Sequence, residues 1–213
     1  MELEEAIERN NLKKVKEYLD ELPNVDLVSS SYDPITYCPL EYACEKGSME
    51  IVKYLVERGA NITDSVLWYA SEESHREILK YLLEKGADKN KALIAASGAG
   101  HLETVKYLLE KGADKNKALI PASRYGHLNI VKYLVENGVN VNITEIVKEK
   151  EGDVIWVTKV TPLTSACTGY GNMETIEYLV ENGANDITNA LQIAKHQTFQ
   201  EDKVIEFLEK HLS

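Results

Sequence analysis

The chain repeats itself at a fixed spacing. Residues 100–116 read Gly-His-Leu-Glu-Thr-Val-Lys-Tyr-Leu-Leu-Glu-Lys-Gly-Ala-Asp-Lys-Asn. They return 26 residues later as Gly-His-Leu-Asn-Ile-Val-Lys-Tyr-Leu-Val-Glu-Asn-Gly-Val-Asn-Val-Asn over 126–142. A weaker copy spans residues 74–90. Self-similarity at such a period is the mark of stacked supersecondary units, each packing on its neighbours, and not of one globular core. A scaffold or binding role follows more readily from that architecture than catalysis does.

Alignment on Val/Ile-Lys-Tyr-Leu and the following glycine gives Gly59, Gly86, Gly112, Gly138 and Gly183, with gaps of 27, 26, 26 and 45 residues. Each unit reads as two short helices. Ala-Leu-Ile-Ala-Ala-Ser (92–97) typifies the first and residues 101–111 the second. In the second, Leu102, Val105, Leu108 and Leu109 form one apolar stripe at helical spacing. Gly112 is positioned as a left-handed C-terminal cap, and Lys111 suits the negative helix end. The expected units are 1–34, 35–63, 64–90, 91–116, 117–142, 143–187 and 188–213. The first and last are polar enough to cap the stack.

Thr161-Pro162-Leu163 with Ala166, and Pro39-Leu40 with Ala43, resemble the Thr-Pro-Leu-His-x-Ala start of an ankyrin repeat. Gly-His-Leu-Glu-x-Val…Leu-Leu-x-x-Gly-Ala-Asp resembles its second half. The resemblance covers nearly the whole chain. It implies an all-α solenoid of stacked helix pairs and a non-enzymatic protein–protein interaction module, which binds through the groove of first helices and β-hairpin fingers.

The chain departs from the family in length. An ankyrin unit has about 33 residues, and the middle units here have 26 or 27. The missing residues are those of the finger, since the next helix is expected at Lys91 and again at Lys117. Fingers are expected only at 27–38 and 142–161. The second is enlarged. Ile143–Lys148 and Val154–Val160 are β-branched, with the polar stretch 149–153 between them, and this is a hairpin signal. Both faces carry apolar residues. Two readings of the 143–161 hairpin stay open: a binding arm anchored by Trp156, or internal packing over the fifth and sixth units.

Composition narrows the partners. The formal net charge is −11 over 213 residues. Nucleic acid and anionic membrane surfaces are disfavoured, and a basic or apolar protein is favoured. The acidity equally suits a soluble monomer. Cys38, Cys44 and Cys167 show no disulfide or metal spacing. The acidic N-terminus does not resemble a signal peptide, and no apolar run is long enough to span a membrane. A cytoplasmic, intracellular protein is expected, with secretion that bypasses a signal peptide left open.

No catalytic, metal or cofactor motif stands out. His75, His101 and His127 recur once per unit. Stacked helices lie about 8–10 Å apart, too far for these residues to share a zinc ion bound at about 2 Å. They read as structural residues at the turn into the second helix. Tyr54, Tyr81, Tyr107, Tyr133 and Tyr178 read as packing between units. Pro121 should restrict its helix to a start near Leu119.

The first-helix ends vary while the frame stays fixed. This assigns a partner surface to Glu72, Glu73, Arg124, Tyr125 and Tyr170. Trp68 and Ile94 join it, since they follow the first-helix leucine and should be accessible where fingers are absent, with Trp156 on the hairpin. Neutral drift on a solvated face would give the same variation. Tyr, Trp and Arg are common hot-spot residues. An alternative is an acidic inhibitory or structural module that masks a basic enzyme or a nucleic-acid-binding protein.

Overall fold

A computed structural model describes residues 3–20, 25–26, 28–29, 36–72, 75–151, 154–168, 172–196 and 202–212. The chain forms two compact units, residues 1–95 and 96–213.

In the first unit helices come in pairs. These are α1 (Leu3–Glu8) and α2 (Leu12–Leu19), α3 (Pro39–Glu45) and α4 (Met49–Glu57), and α5 (Asp64–Ala70) and α6 (Arg76–Glu84). First helices pack on first helices, and second on second. Ile7, Leu19, Leu40, Ile51, Leu55, Leu67, Leu79, Leu82 and Leu93 are fully buried between them. Val28–Ser29 (β1) and Thr36–Tyr37 (β2) pair antiparallel at the first expected finger.

Helix α7 (Lys89–Ala99) leads into the second unit, and α8 (Leu102–Glu110) follows it in the chain. There follow α9 (Leu119–Arg124) and α10 (Leu128–Glu136), the strands β3 (Glu145–Glu151) and β4 (Val154–Val160), α11 (Pro162–Thr168) and α12 (Met173–Glu181), then α13 (Ile187–His196) and α14 (Asp202–Lys210). Leu108, Leu119, Ile130, Leu134, Ile176, Leu179 and Leu208 are fully buried in this unit's core. Seven helix pairs are thus present among the described residues. The last begins at Ile187, ahead of the first expected apolar position, Leu191.

The second helices end as their glycines require. Gly112 has φ +76°, its N–H bonds the Leu109 carbonyl at 2.9 Å, and the Ala113 N–H bonds Leu108 at 3.0 Å. That pair of bonds satisfies carbonyls the helix would leave open, with glycine in a region Cβ disfavours. The buried face differs from the expected stripe. In α8 it is Thr104, Val105 and Leu108, while Leu102 and Leu109 are half-buried at its margins. The same three positions are buried in α4, α6, α10 and α12. Each second helix presents a narrow face inward, and within each unit its flanks border the neighbouring second helices.

Residues 80–94 and 106–120 are identical in sequence, Lys-Tyr-Leu-Leu-Glu-Lys-Gly-Ala-Asp-Lys-Asn-Lys-Ala-Leu-Ile. They nevertheless fold differently at the following helix start. In the first copy Asp88 accepts from the Asn90 and Lys91 backbone N–H groups, and α7 begins at Lys89, two residues before the expected Lys91. In the second, Asp114 caps a 3₁₀ turn over Lys115–Lys117, and the α-helix waits until Leu119. The residue that follows each copy, Ala95 or Pro121, accounts for the difference. Proline cannot donate to the carbonyl four residues back, and its ring crowds that carbonyl. Pro121 is therefore held in the first turn, as expected.

The enlarged hairpin is present with β3 antiparallel to β4, pairing Glu145 with Val160 and Glu151 with Val154. Its first strand starts at Glu145, so Ile143 lies outside the ladder. Lys117 Nζ approaches Glu145 Oε1 at 3.6 Å near the base.

Candidate protein-binding surface

The turn between the helices of a pair is built by contact with the next pair. His75 occupies the position before α6, and its Nδ1 lies 3.1 Å from the Tyr69 carbonyl. A Cβ on Gly47 would sit 2.9 Å from its Nε2. In the second unit His127 Nε2 lies 2.8 Å from the Gly98 carbonyl. Asn172 occupies the corresponding place and donates from Nδ2 to the Gly126 carbonyl at 3.2 Å. These side chains tie adjacent turns together. Among the described residues no group of His, Cys, Asp or Glu has the arrangement of a metal site.

The tyrosines of the second helices have partners the sequence reading missed. In the first unit Lys16 lies over the Tyr54 ring at 5.4 Å and Lys53 over Tyr81 at 5.9 Å. In the second, Lys106 lies over Tyr133 at 5.6 Å and Lys132 over Tyr178 at 5.5 Å. Each lysine reaches from one pair to the ring of the next. At partly exposed sites such contacts are worth about 0.5–1 kcal/mol each. The sequence signal is the recurring Lys-Tyr dipeptide, which supplies Lys53, Lys106 and Lys132. Tyr54 Oη also donates to Asp20 at 2.7 Å, and Arg58 reaches Asp20 at 3.1 Å. Burial first, then the bond to Asp20, raises the Tyr54 phenol above its ordinary range.

The thiols are poorly reactive. Burial pushes Cys44 and Cys167 up to about 12, and it raises Cys38 as well. Thiolate is the nucleophilic form, so these cysteines remain protonated near neutrality.

The first-helix surface of the first unit displays Trp68 on α5 and Ile94 on α7, 37% and 40% exposed. Each follows the buried leucine of its helix, Leu67 or Leu93. Glu41 holds that position on α3 and accepts from Thr63 Oγ1 at 2.9 Å. Glu72 lies nearby in sequence, half-buried, with Oε2 3.8 Å from His75 Nδ1. Asp64 and Lys91 form an ion pair at 2.9 Å.

In the second unit the matching positions, Ile120 and Thr164, are buried. Thr164 is held by reciprocal bonds with Thr161, from the Thr161 N–H to Thr164 Oγ1 at 2.8 Å and from the Thr164 N–H to Thr161 Oγ1 at 3.2 Å. At the end of α9 Arg124 and Tyr125 are exposed, the latter at 38% with its ring 6.4 Å from that of His127. Trp156 is in β4, opposite Glu149 in the ladder, and its side chain lies outside the described residues. Glu73 and Tyr170 also lie outside them.

Models of ankyrin repeats match residues 3–92 and 88–145, and a single ankyrin-repeat model matches 159–191. The crystal structure of the human ASB11 ankyrin repeat domain is similar, with a TM-score of 0.60 and 23% identity, over 100% of this chain and 98% of that one. At that identity the likeness speaks to the fold. No curated protein matches the chain. Among the described residues no helix is long and apolar enough to cross a membrane.

Proposed function

This chain belongs to the ankyrin-repeat family, and from that premise we propose that it is a non-enzymatic module that binds a protein partner through its first-helix surfaces. Ankyrin repeats generally serve as protein–protein interaction modules. Supporting the reading here is one observation: Trp68 and Ile94 stand exposed at equivalent positions while their neighbours Leu67 and Leu93 are buried. Aromatic and aliphatic groups at the same phase of successive first helices suit an apolar anchor from a partner. Glu41 holds the equivalent position on α3 and Glu72 follows Trp68 by four residues, so a basic residue beside that anchor complements the surface. Arg124 and Tyr125 offer a separate polar and aromatic contact on the second unit.

Peptide-display selection against the purified chain tests this. Selected binders should carry an apolar residue near a Lys or Arg and should lose at least tenfold in affinity for Trp68→Ala/Ile94→Ala, since hot-spot truncations cost about 2 kcal/mol or more. Equal binding to the double variant refutes the assignment. The net charge of −11 favours a second reading, an acidic module that masks a basic protein. That reading predicts binding that collapses with salt and ignores the Trp68 and Ile94 substitutions.

A further inference from the structure

The β3–β4 hairpin has two unlike edges. β3 reads Glu-Ile-Val-Lys-Glu-Lys-Glu and is charged at five of seven positions. β4 reads Val-Ile-Trp-Val-Thr-Lys-Val and is charged at one, Lys159. Among the described residues β4 pairs with β3 alone. Its other edge therefore presents a row of backbone donors and acceptors with no strand beside it. A two-stranded hairpin is marginal in water, and a third strand or a packed face normally stabilises it. Natural sheets blunt open edges with charge, proline or bulges. β3 has the charge, and β4 has none between Val154 and Thr158. At the described base of the hairpin Ile146 is 66% exposed, so no helix covers that position.

We propose that the open edge of β4 pairs antiparallel with β4 of a second copy of this chain, giving a four-stranded sheet in the order β3-β4-β4-β3. The sequence of the edge argues for that occupant. A two-fold axis at Val157 sets Val154 opposite Val160, Ile155 opposite Lys159 and Trp156 opposite Thr158, and no like charges meet. The same operation on β3, at Lys148, sets Glu145 opposite Glu151 and Lys148 opposite itself, which opposes like charges. A charged foreign strand finds no complement on β4, whereas a second β4 sets valine against valine at 154/160 and 157/157 and opposes no like charges. The two β3 strands then form the rims, and their charges discourage further strands. The assembly closes as an isologous dimer and does not grow into a fibre. A dimer thus stands where composition alone suggested a monomer. The inference is independent of the first-helix surface.

The test uses the full chain in sedimentation equilibrium and hydrogen exchange over a concentration series. A reversible dimer is expected, with the amides of 154–160 exchanging more slowly as concentration rises. Val157→Lys opposes two ammonium groups across the axis and should weaken association roughly tenfold or more, while Glu149→Gln on β3 leaves it unchanged. A chain that stays monomeric at the highest concentration, or a dimer that Val157→Lys does not weaken, overturns the proposal. Because Val157→Lys could unsettle the hairpin itself, Val157→Cys in a Cys38→Ser background gives a second reading. Residues directly opposite in an antiparallel pair lie about 4.5–5.5 Å apart, within disulfide range. Mild oxidation should cross-link the dimer through position 157, and failure to cross-link overturns the register.

Discussion

His127 Nε2 lies 2.8 Å from the Gly98 carbonyl, and its ring fills the space where a Cβ on Gly100 would fall, 2.7 Å from the nearest ring atom. Gly100 also has φ +87°. Gly100→Ala therefore meets two penalties, backbone strain and a clash with the imidazole. A loss of about 2–4 kcal/mol is expected, read as a lowered urea midpoint. His127→Ala in that background relieves the clash and leaves the strain. The stability recovered, set against His127→Ala alone, separates the two penalties.

Pro121→Ala should convert the 3₁₀ turn at Lys115–Lys117 into the first turn of α9, matching the start of α7. The preceding 15 residues are identical in the two copies. Helix content by circular dichroism should rise by about one turn, and stability should change little, since the turn lies at a helix start where proline is tolerated. An unchanged 3₁₀ turn in a structure of the variant would assign the difference to tertiary packing.

Thr104 and Thr175 are fully buried, and among the described residues their hydroxyls have no hydrogen-bond partner. Ile51, Ile78 and Ile130 hold the equivalent positions in α4, α6 and α10. Thr104→Val and Thr175→Val keep the shape and remove the unpaired oxygen. Each should stabilise the protein by about 1 kcal/mol. Thermal melting checks this, and a lowered melting temperature would show that the hydroxyl is satisfied in solution.

Stability should fall on the alkaline side. Cys44 and Cys167 have pKa values raised by burial from 9.0 to about 12. Unfolded thiols ionise first, so above pH 9 the unfolded chain binds fewer protons than the native one. The contribution is complete below pH 9 and is lost progressively as pH rises toward 12. Tyr54, raised in the same direction, adds to the trend. Urea midpoints from pH 7 to 11 test this. Cys44→Ala/Cys167→Ala should flatten the decline, whatever it costs in packing.

Much of the fold was legible because each unit announces its ends. Gly59, Gly86, Gly112, Gly138 and Gly183 all have positive φ, as a glycine after a helix should. Missing residues between units correctly placed β1–β2 and β3–β4 as the two hairpins. Less legible was anything set by a residue beyond the local copy. Fifteen identical residues start two different helices because a sixteenth differs. The buried face of α8 runs through Thr104 and not Leu102, because the neighbouring helices, and not the hydrophobicity of α8 itself, select it. For the surface, unit phase located Trp68, Ile94 and Tyr125 at exposed positions, and it could not reveal that Ile120 and Thr164 at the same phase are covered. The lysine partners of the tyrosines lie a whole unit away in sequence and close in space.

Those lysines all reach in one direction, from an earlier pair to the tyrosine of a later one: Lys16 to Tyr54, Lys53 to Tyr81, Lys106 to Tyr133, Lys132 to Tyr178. In an array whose cooperativity passes only between neighbours, each clasp makes the ring of one pair lean on the cation of the pair before it, so that within a unit the loosening of an earlier pair loosens the later one.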